Sequence, residues 1–350
     1  MEKENSMAGP YVHCLVSRKA LKLFNNPSFG GYSGVRADGV LPYLYLGSVS
    51  PDYPYPACMI ANVNPAPDKA ADGSSLWWGD KLHKQNTGDF VKSGLASLRK
   101  LMKDGAPDNQ ILLAWLLGYY SHIITDTVVH AVVYNIVGRY EQHSTEHRKC
   151  EMVEDPLLFM REENKELVGD NFLSILEGCQ TLEPFSIDKP MEPRHYILNK
   201  AVRDLWDGIL HEVYPAYHAV EKPEIDAWHR EYLKVNYFAT GSLGRAVGGA
   251  GIEAISYQKT DEIDEKDRAK YYSEMKIPGR ATPGEYKADV FDYAVSQVMK
   301  GWGGFLKALT DDAEYDNFGK SLANIDLDTG TADGVNYALW PGGKTSDWKA

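Results

Sequence analysis

Residues 112–155, LLAWLLGYYSHIITDTVVHAVVYNIVGRYEQHSTEHRKCEMVED, decide the fold of this protein. The stretch begins as an apolar run in which His122, Asp126 and His130 recur four residues apart. That spacing stacks the three side chains along one face of a single helix. The pattern is interrupted at Gly138, so we predict a long helix that ends at a short break around this residue.

A second helical segment follows the break, and its polar residues keep the same spacing. His143, His147 and Glu151 are again four residues apart. An exposed helix face would carry Lys, Glu and Gln, and a buried one would carry no ionisable group without a compensating partner. A single histidine on an apolar helix is usually a packed core residue. Repeated imidazoles and carboxylates on two neighbouring helices favour a site for a borderline metal such as zinc.

Composition places the chain among ordinary globular proteins. Its 350 residues suffice for one large domain or two smaller ones, and 43 % hydrophobic with 25 % charged residues are typical values. Neither an internal repeat nor a linker is evident. We therefore predict an all-α protein with a single multi-helix domain over residues 1–320, followed by an irregular segment, residues 321–350, packed on it.

The net charge and the apolar content limit the kinds of partner that this protein can have. A formal net charge of -12 argues against nucleic acid as a partner and against electrostatic docking on anionic membranes. We find no run of about 18 purely apolar residues and predict no transmembrane segment.

The N-terminus lacks a secretory pattern, so we expect a cytoplasmic protein, or a secreted one if a signal segment was removed. Four scattered cysteines are expected to be free thiols.

The remaining helices are predicted from apolar periodicity and from stop signals. A first helix starts at Pro10, and Asp108 is an N-cap for the long helix. The predicted helices besides the two described above cover residues 10–24, 89–102, 157–168, 170–179, 194–220 with a break at its proline, 223–239, 243–259 and 285–312. From about residue 320 the composition indicates a short strand pair or an arm.

Three further residues precede the long helix and have ligand chemistry. His13 lies in the first turn of the first helix, and His83 stands in the segment WGDKLHK. Asp52 follows a proline in the segment GSVSPD, where an aspartate is as often a turn former or N-cap.

These motifs together resemble the zinc-dependent phospholipase C family, which is related in fold to the S1/P1 nucleases. The resemblance rests on H-x-x-x-D-x-x-x-H followed by H-x-x-x-E. It is supported by P-Y-V-H-C-L, L-G-S-V-S-P-D, W-G-D-K-L-H and G-Y-Y-S-H, which occur in that order over residues 10–160. It implies an all-helical fold with a trinuclear zinc site in a cleft between helices.

The resemblance also implies which residues bind the ions. The first metal would be held by Asp52, His83, His122 and Asp126, with Asp126 bridging to a second metal at His13, and the third by His130, His147 and Glu151. Secreted family members begin, once mature, at a tryptophan whose amino group and carbonyl bind zinc. This chain shows no such terminus, so whether two or three zinc ions bind stays open.

The choice between two histidines is also open, because the gap between Asp126 and the next histidine is shorter than in those enzymes. His143 competes with His147 as the partner of Glu151. We prefer His147, because Glu151 lies four residues further on and Asp155 four beyond that.

The leading functional hypothesis is a zinc-dependent hydrolase, specifically a phosphoesterase of phospholipase C type that uses a metal-bound water. Such clusters suit phosphoester hydrolysis because the ions acidify a water and neutralise phosphate charge. Asp52 is the predicted catalytic carboxylate, and a purely ligating role for it is equally open. The substrate would be a small-molecule or lipid phosphoester.

Two alternatives use the same residues. His, Asp and Glu ligands on helices also suit an iron-dependent redox enzyme or other diverged chemistry. A helical binding protein whose metals only staple the fold is the non-catalytic alternative, and it requires closed coordination.

Overall fold

The computed structural model describes residues 9–25, 39–64, 77–105, 107–183, 195–241, 256–332 and 335–336. Helices dominate these ranges, and each strand is only two or three residues long. The predicted all-α class is therefore confirmed. All four cysteines are free, as predicted.

The described helices pack around one long central helix. Those of the first half are α1 (Pro10–Phe24), α2 (Leu41–Val49), α3 (Pro54–Ala61), α4 (Trp78–Lys84), α5 (Thr87–Lys103), α6 (Asn109–Val137) and α7 (Tyr140–Glu163). Those of the second half are α8 (Lys200–Val213), α9 (Pro215–Val220), α10 (Ile225–Thr240), α11 (Glu265–Arg268), α12 (Asp292–Thr310) and α13 (Asp312–Ser321). A 3₁₀ turn, Ser50–Asp52, follows α2 directly.

The central helix α6 is the element that the sequence predicted most clearly. It begins after Asp108, which occupies the N-cap position without a side-chain cap, and ends at Gly138, whose φ of 97° stops the helix. By length and composition α6 could cross a membrane, although the sequence has no run of about 18 purely apolar residues. In the structure 83 % of its most apolar window is buried by other helices, as is typical of the central helix of a packed core.

Two glycines allow α2 to lie directly against α6. A Cβ atom on Gly47 would lie 1.9 Å from the carbonyl oxygen of Trp115, and one on Gly118 would lie 2.1 Å from that of Leu44. No side chain fits between the two backbones at this crossing. The contact fixes the position of the turn that carries Asp52.

A buried carboxylate holds the start of α1. The Val12 N–H donates to Asp155 Oδ1 at 2.9 Å, and the Tyr257 hydroxyl donates to Asp155 Oδ2 at 2.6 Å. Burial raises the pKa of Asp155 to about 7, although these hydrogen bonds act in the opposite direction. The contact ties α1 to α7.

Several local predictions were wrong at their boundaries. The helix predicted over residues 157–168 is the end of α7, which passes through Pro156 and stops at Asn164 with a left-handed φ of 55°. Within the predicted segment 170–179, residues Phe172–Cys179 form a 3₁₀ helix. Such differences arise because tertiary packing, and not local propensity, sets the ends of short elements.

The next two predicted helices are also divided differently. The segment 194–220 contains a strand before α8, and Pro215 breaks the helix as expected. Strands β1 (Gln180–Leu182) and β2 (Tyr196–Leu198) pair in antiparallel fashion. The segment predicted as one helix over residues 285–312 instead forms a π turn, Tyr286–Phe291, followed by α12.

The described residues after α13 agree with the predicted loss of helical structure. Three short strands, β3 (Ile325–Asp326), β4 (Thr331–Ala332) and β5 (Val335–Asn336), form an antiparallel meander. The helix predicted over 243–259 lies mostly outside the described residues, and residues 256–259 are not helical.

Candidate metal centre

All eight residues predicted to bind metal are buried, with at most 4 % of each residue exposed. They come from five separate parts of the fold. His13 lies on α1, Asp52 in the 3₁₀ turn after α2, His83 on α4, His122, Asp126 and His130 on α6, and His147 and Glu151 on α7. A burial this complete of so many ionisable groups requires compensating partners.

The eight side chains form three groups, two of which share His122. In each group one ligand atom of every member lies within 4.8 Å of the others. The groups are His13, His122 and Asp126; Asp52, His83 and His122; and His130, His147 and Glu151. Segments up to 138 residues apart in sequence therefore meet in one place, as the resemblance implied.

Asp126 lies between the groups, and its two oxygens face different sides. Oδ2 lies 3.0 Å from His122 Nε2 and 3.9 Å from His83 Nε2. Oδ1 lies 3.2 Å from His13 Nε2 and 3.6 Å from His130 Nε2. A carboxylate in this position can bridge two ions, one on each oxygen.

The pKa values of Asp126 on α6 and Glu151 on α7 are shifted in opposite directions. Burial acts to raise the pKa of Asp126, but the imidazoles of His122, His130 and His13 hold it well below its usual range. Burial raises the pKa of Glu151 well above its usual range, and the nearby His130 only partly offsets this effect. A cation bound beside Glu151 would offset the cost of burying its charged form.

Three histidines are oriented by backbone carbonyl groups. A carbonyl oxygen only accepts, so the ring Nδ1 must carry the donated hydrogen. The pairs are His122 Nδ1 with Ser48 O at 2.9 Å, His83 Nδ1 with Gly79 O at 2.9 Å, and His130 Nδ1 with Leu327 O at 3.0 Å. Each ring thus turns its Nε2 toward the cluster, which is the arrangement found in metal-ligating histidines.

The Nε2 atoms of His122 and His83 face each other inside the cluster. His122 Nε2 and His83 Nε2 are 3.3 Å apart, and with both Nδ1 atoms protonated only a proton or a cation can lie between them. The pKa of His83 is about 9, because Asp52 at 3.2 Å and Asp126 outweigh the opposing effect of burial. Without metal, a proton on this ring compensates the carboxylates.

Several buried polar atoms of the cluster lack any hydrogen bond. Buried polar groups are nearly always paired, so a concentration of unpaired ones is typical of a metal-binding site. They are His13 Nδ1 and Nε2, Asp126 Oδ1 and Oδ2, His130 Nε2, His147 Nδ1 and Glu151 Oε1. Imidazole nitrogens and carboxylate oxygens are the donors that zinc takes, so these residues fit the metal.

The two competing histidines of α7 occupy different environments. His147 Nδ1 lies 2.9 Å from Glu151 Oε1, and His130 Nε2 lies 3.8 Å from the same oxygen. Burial lowers the pKa of His147 to about 4, which keeps the ring neutral and able to bind a cation. His143 lies at a kink with φ −138° and ψ 35°, and its ring lies beside Gly138. The geometry supports the choice of His147.

A cavity of about 620 Å³ lies on a different face of α6. It is formed by α5, α6, α12 and α13, and its lining includes Val91, Ile124, Val128 and Phe318. None of the eight predicted residues lines it. The reacting phosphoester of a metal-dependent enzyme would therefore not lie in this cavity.

The sequence did not reveal the carbonyl groups that orient the histidines. Ser48 and Gly79 lie within the motifs that carry the resemblance, but backbone acceptors have no sequence signature. Leu327 is 197 residues from His130 and belongs to the predicted irregular segment. Only the tertiary structure shows that this segment reaches the cluster.

Fold and site together define a helical protein with a buried cluster of His, Asp and Glu residues that could hold metal. The chain belongs to the zinc-dependent phospholipase C family, whose model matches residues 12–222. This match confirms the resemblance seen in the sequence, and it includes all eight predicted residues. No curated protein and no solved structure is significantly similar to the chain.

Proposed function

We propose that this protein is a zinc-dependent phosphoesterase of phospholipase C type. The observation that supports it is the position of Asp126, whose two oxygens face different groups of buried ligands. A shared carboxylate is what a polynuclear site for phosphoester hydrolysis needs. Membership of a zinc-dependent family favours zinc over iron.

Two of the three groups have enough ligands for a firmly bound ion. One consists of Asp52, His83 and His122 with Asp126 Oδ2, and the other of His130, His147 and Glu151. The remaining group is that of His13, His122 and Asp126. The only ring nitrogen of His122 that can bind zinc, Nε2, is already used in the group of Asp52 and His83. Only His13 and Asp126 then remain for that ion among the described residues. We therefore propose two tightly bound zinc ions and a weaker third one.

Zinc held there would lower the pKa of a coordinated water toward neutrality and neutralise charge on the phosphate oxygens. The protein supplies the carboxylate that takes the proton from the attacking water, and we assign this role to Asp52. Its Oδ1 lies 3.2 Å from His83 Nε2, which places the carboxylate directly beside a proposed zinc ligand.

The substrate class that we propose is a phosphodiester, with phospholipid head groups as the family default. The net charge of -12 disfavours adsorption on an anionic bilayer, which makes a soluble or monomeric phosphodiester the better first substrate.

Metal content and hydrolysis should be measured on the same preparation. We expect two to three zinc ions per chain by plasma mass spectrometry. We also expect hydrolysis of bis-p-nitrophenyl phosphate or of a monomeric short-chain phosphatidylcholine. Zinc binding without hydrolysis of either compound would favour the metal-stapled binding protein, and bound iron would favour redox chemistry. Failure to bind zinc after reconstitution would contradict the proposal altogether.

A further inference from the structure

A short segment near the end of the chain lies against the metal centre. We name residues Asn324–Asp328 the C-terminal strap. The Leu327 N–H donates to the carbonyl oxygen of His83 at 2.8 Å, and the Leu327 carbonyl oxygen accepts from His130 Nδ1 at 3.0 Å. One buried peptide segment thus contacts two proposed zinc ligands on different helices.

The strap is attached to the corner between α4 and α5 at several points. Thr87 Oγ1 donates to the Ile325 carbonyl oxygen at 2.9 Å and accepts from the Ile325 N–H at 2.8 Å. Asn324 is paired in the same way with the backbone N–H and the carboxylate of Asp89, at 2.9 Å each. Lys84 Nζ lies 3.1 Å from Asp328 Oδ2. These contacts determine where Leu327 is placed.

The strap is buried, and the chain that leads to it lies directly against the backbone of α5. Leu327 is fully buried and Ile325 is 7 % exposed. A Cβ atom on Gly88 would lie 2.5 Å from the carbonyl oxygen of Ala323, so the chain passes α5 where no side chain intervenes. Removing the strap would leave the His130 Nδ1 hydrogen without its acceptor in a buried site, which costs free energy.

We propose that the C-terminal strap is a positioning element of the metal centre, one that holds His130 in the orientation and tautomer needed to bind metal. The inference rests on the proposed function only in that the group of His130, His147 and Glu151 binds zinc. The strap lies about 100 residues beyond the region matched by the family model. Metal affinity would then depend on a part of the chain outside that region.

Substitution of Thr87 tests the proposal without altering a ligand. Thr87→Val removes both hydrogen bonds to Ile325, whereas Thr87→Ser retains them and is the matched control. Loss of the partner of a metal-ligating histidine typically weakens metal binding about 10- to 100-fold. We expect that loss for Thr87→Val in zinc titrations against a chelating indicator, and wild-type affinity for Thr87→Ser.

A second variant weakens the attachment of the strap further and locates the effect. Thr87→Val with Lys84→Met removes two attachments, and Lys200→Met, which breaks an exposed ion pair on α8, is the control for the lysine change. Amide hydrogen exchange of residues 322–330 reports whether the strap is released. In a His147→Ala background, where this zinc group is already disabled, Thr87→Val should produce little further loss of affinity.

The outcomes separate the strap from the enzymatic proposal. Weaker zinc binding that follows strap release, and is restored by serine, supports the inference even if no phosphoester is cleaved. Unchanged zinc affinity in a chain whose strap exchanges freely would overturn it, even in an active enzyme. A strap that stays protected in the double variant would overturn it too, because the named contacts would not be what holds it.

Discussion

Asp126 is the residue on which the proposed centre depends most. It is fully buried, and four imidazole nitrogens lie within 3.9 Å of its oxygens. Asp126→Asn keeps the shape but replaces one oxygen by an amide nitrogen that cannot bind a cation. We expect loss of at least one zinc per chain and a fall in hydrolysis beyond the roughly 10- to 100-fold cost of losing a partner outside the ligand set.

The control for this variant is a buried carboxylate elsewhere. Glu231→Gln alters a carboxylate on α10 that is 4 % exposed and pairs with Lys234 at 2.8 Å. It should retain full zinc content. Wild-type zinc content in the Asp126→Asn protein would show that this carboxylate does not bridge ions.

The two histidines of α7 allow a direct comparison. His147→Ala should lose the ion of its group, because His147 Nδ1 is 2.9 Å from Glu151 Oε1. His143→Ala should keep that ion, because His143 lies at the kink beside Gly138. Zinc content of the two purified variants decides between them. Metal loss confined to the His143 variant would reverse the assignment.

Among the helices, the crossing of α2 with α6 does most to position the site. It places the Ser48 carbonyl oxygen against His122 Nδ1 and sets the turn that carries Asp52. Gly118→Ala would put a methyl group 2.1 Å from the Leu44 carbonyl oxygen. We expect destabilisation of at least the roughly 1–3 kcal/mol typical of overpacking, measured by urea unfolding.

A matched glycine is available on α8. A Cβ atom on Gly208 would meet nothing within 4 Å, so Gly208→Ala should stabilise the protein by about 0.5–1 kcal/mol through helix propensity. Equal effects of the two substitutions on the free energy of unfolding would mean that the backbones do not touch at Gly118.

Considered as a whole, the molecule should be stabilised by its metal. Buried imidazoles and carboxylates without partners oppose folding, and zinc that binds only the folded chain stabilises it by about 4 kcal/mol at a thousandfold excess over Kd. Removal of zinc with a chelator should therefore lower the Tm by several degrees in differential scanning calorimetry. An unchanged Tm would argue against zinc ligation by this cluster.

Acid–base behaviour should be dominated by buried carboxyl groups in the metal-free protein. The pKa of Asp155 is about 7 in the fold against about 3.9 for an unfolded aspartate. Between these values the native state binds the extra proton, so the stability from Asp155 is present below pH 4 and is lost as the pH rises to about 7.

Substitution isolates this contribution from that of other groups. Asp155→Asn should show a shallower decrease in the free energy of unfolding between pH 4.5 and 7.5 than the wild type, by up to a few kcal/mol. The other buried titratable groups are present in both proteins, so the difference between the two profiles reports Asp155 together with its coupling to Glu151 and Glu154. Urea unfolding at the two pH values, with chelator present, provides the measurement. Parallel pH profiles would show that Asp155 is not the group responsible.

Much of this architecture could be predicted because it follows from local patterns. The four-residue spacing of His122, Asp126 and His130 placed them on one helix face, and the stop at Gly138 separated α6 from α7. Helix ends such as Asn164 and the 3₁₀ segment after it were predicted poorly. Short elements there take their form from contacts with distant parts of the chain, which leave no local signal.

The amino-acid sequence alone was sufficient for the all-α class, the family and the eight residues that the fold gathers into one cluster. Side-chain chemistry and helical periodicity are properties of local sequence, so both can be recognised without knowledge of the fold. Only the tertiary structure decided that His147 and not His143 faces Glu151, and that Asp126 faces ligands on both sides. It alone showed that Leu327 orients His130, because a backbone carbonyl is common to every residue and its direction is set by packing.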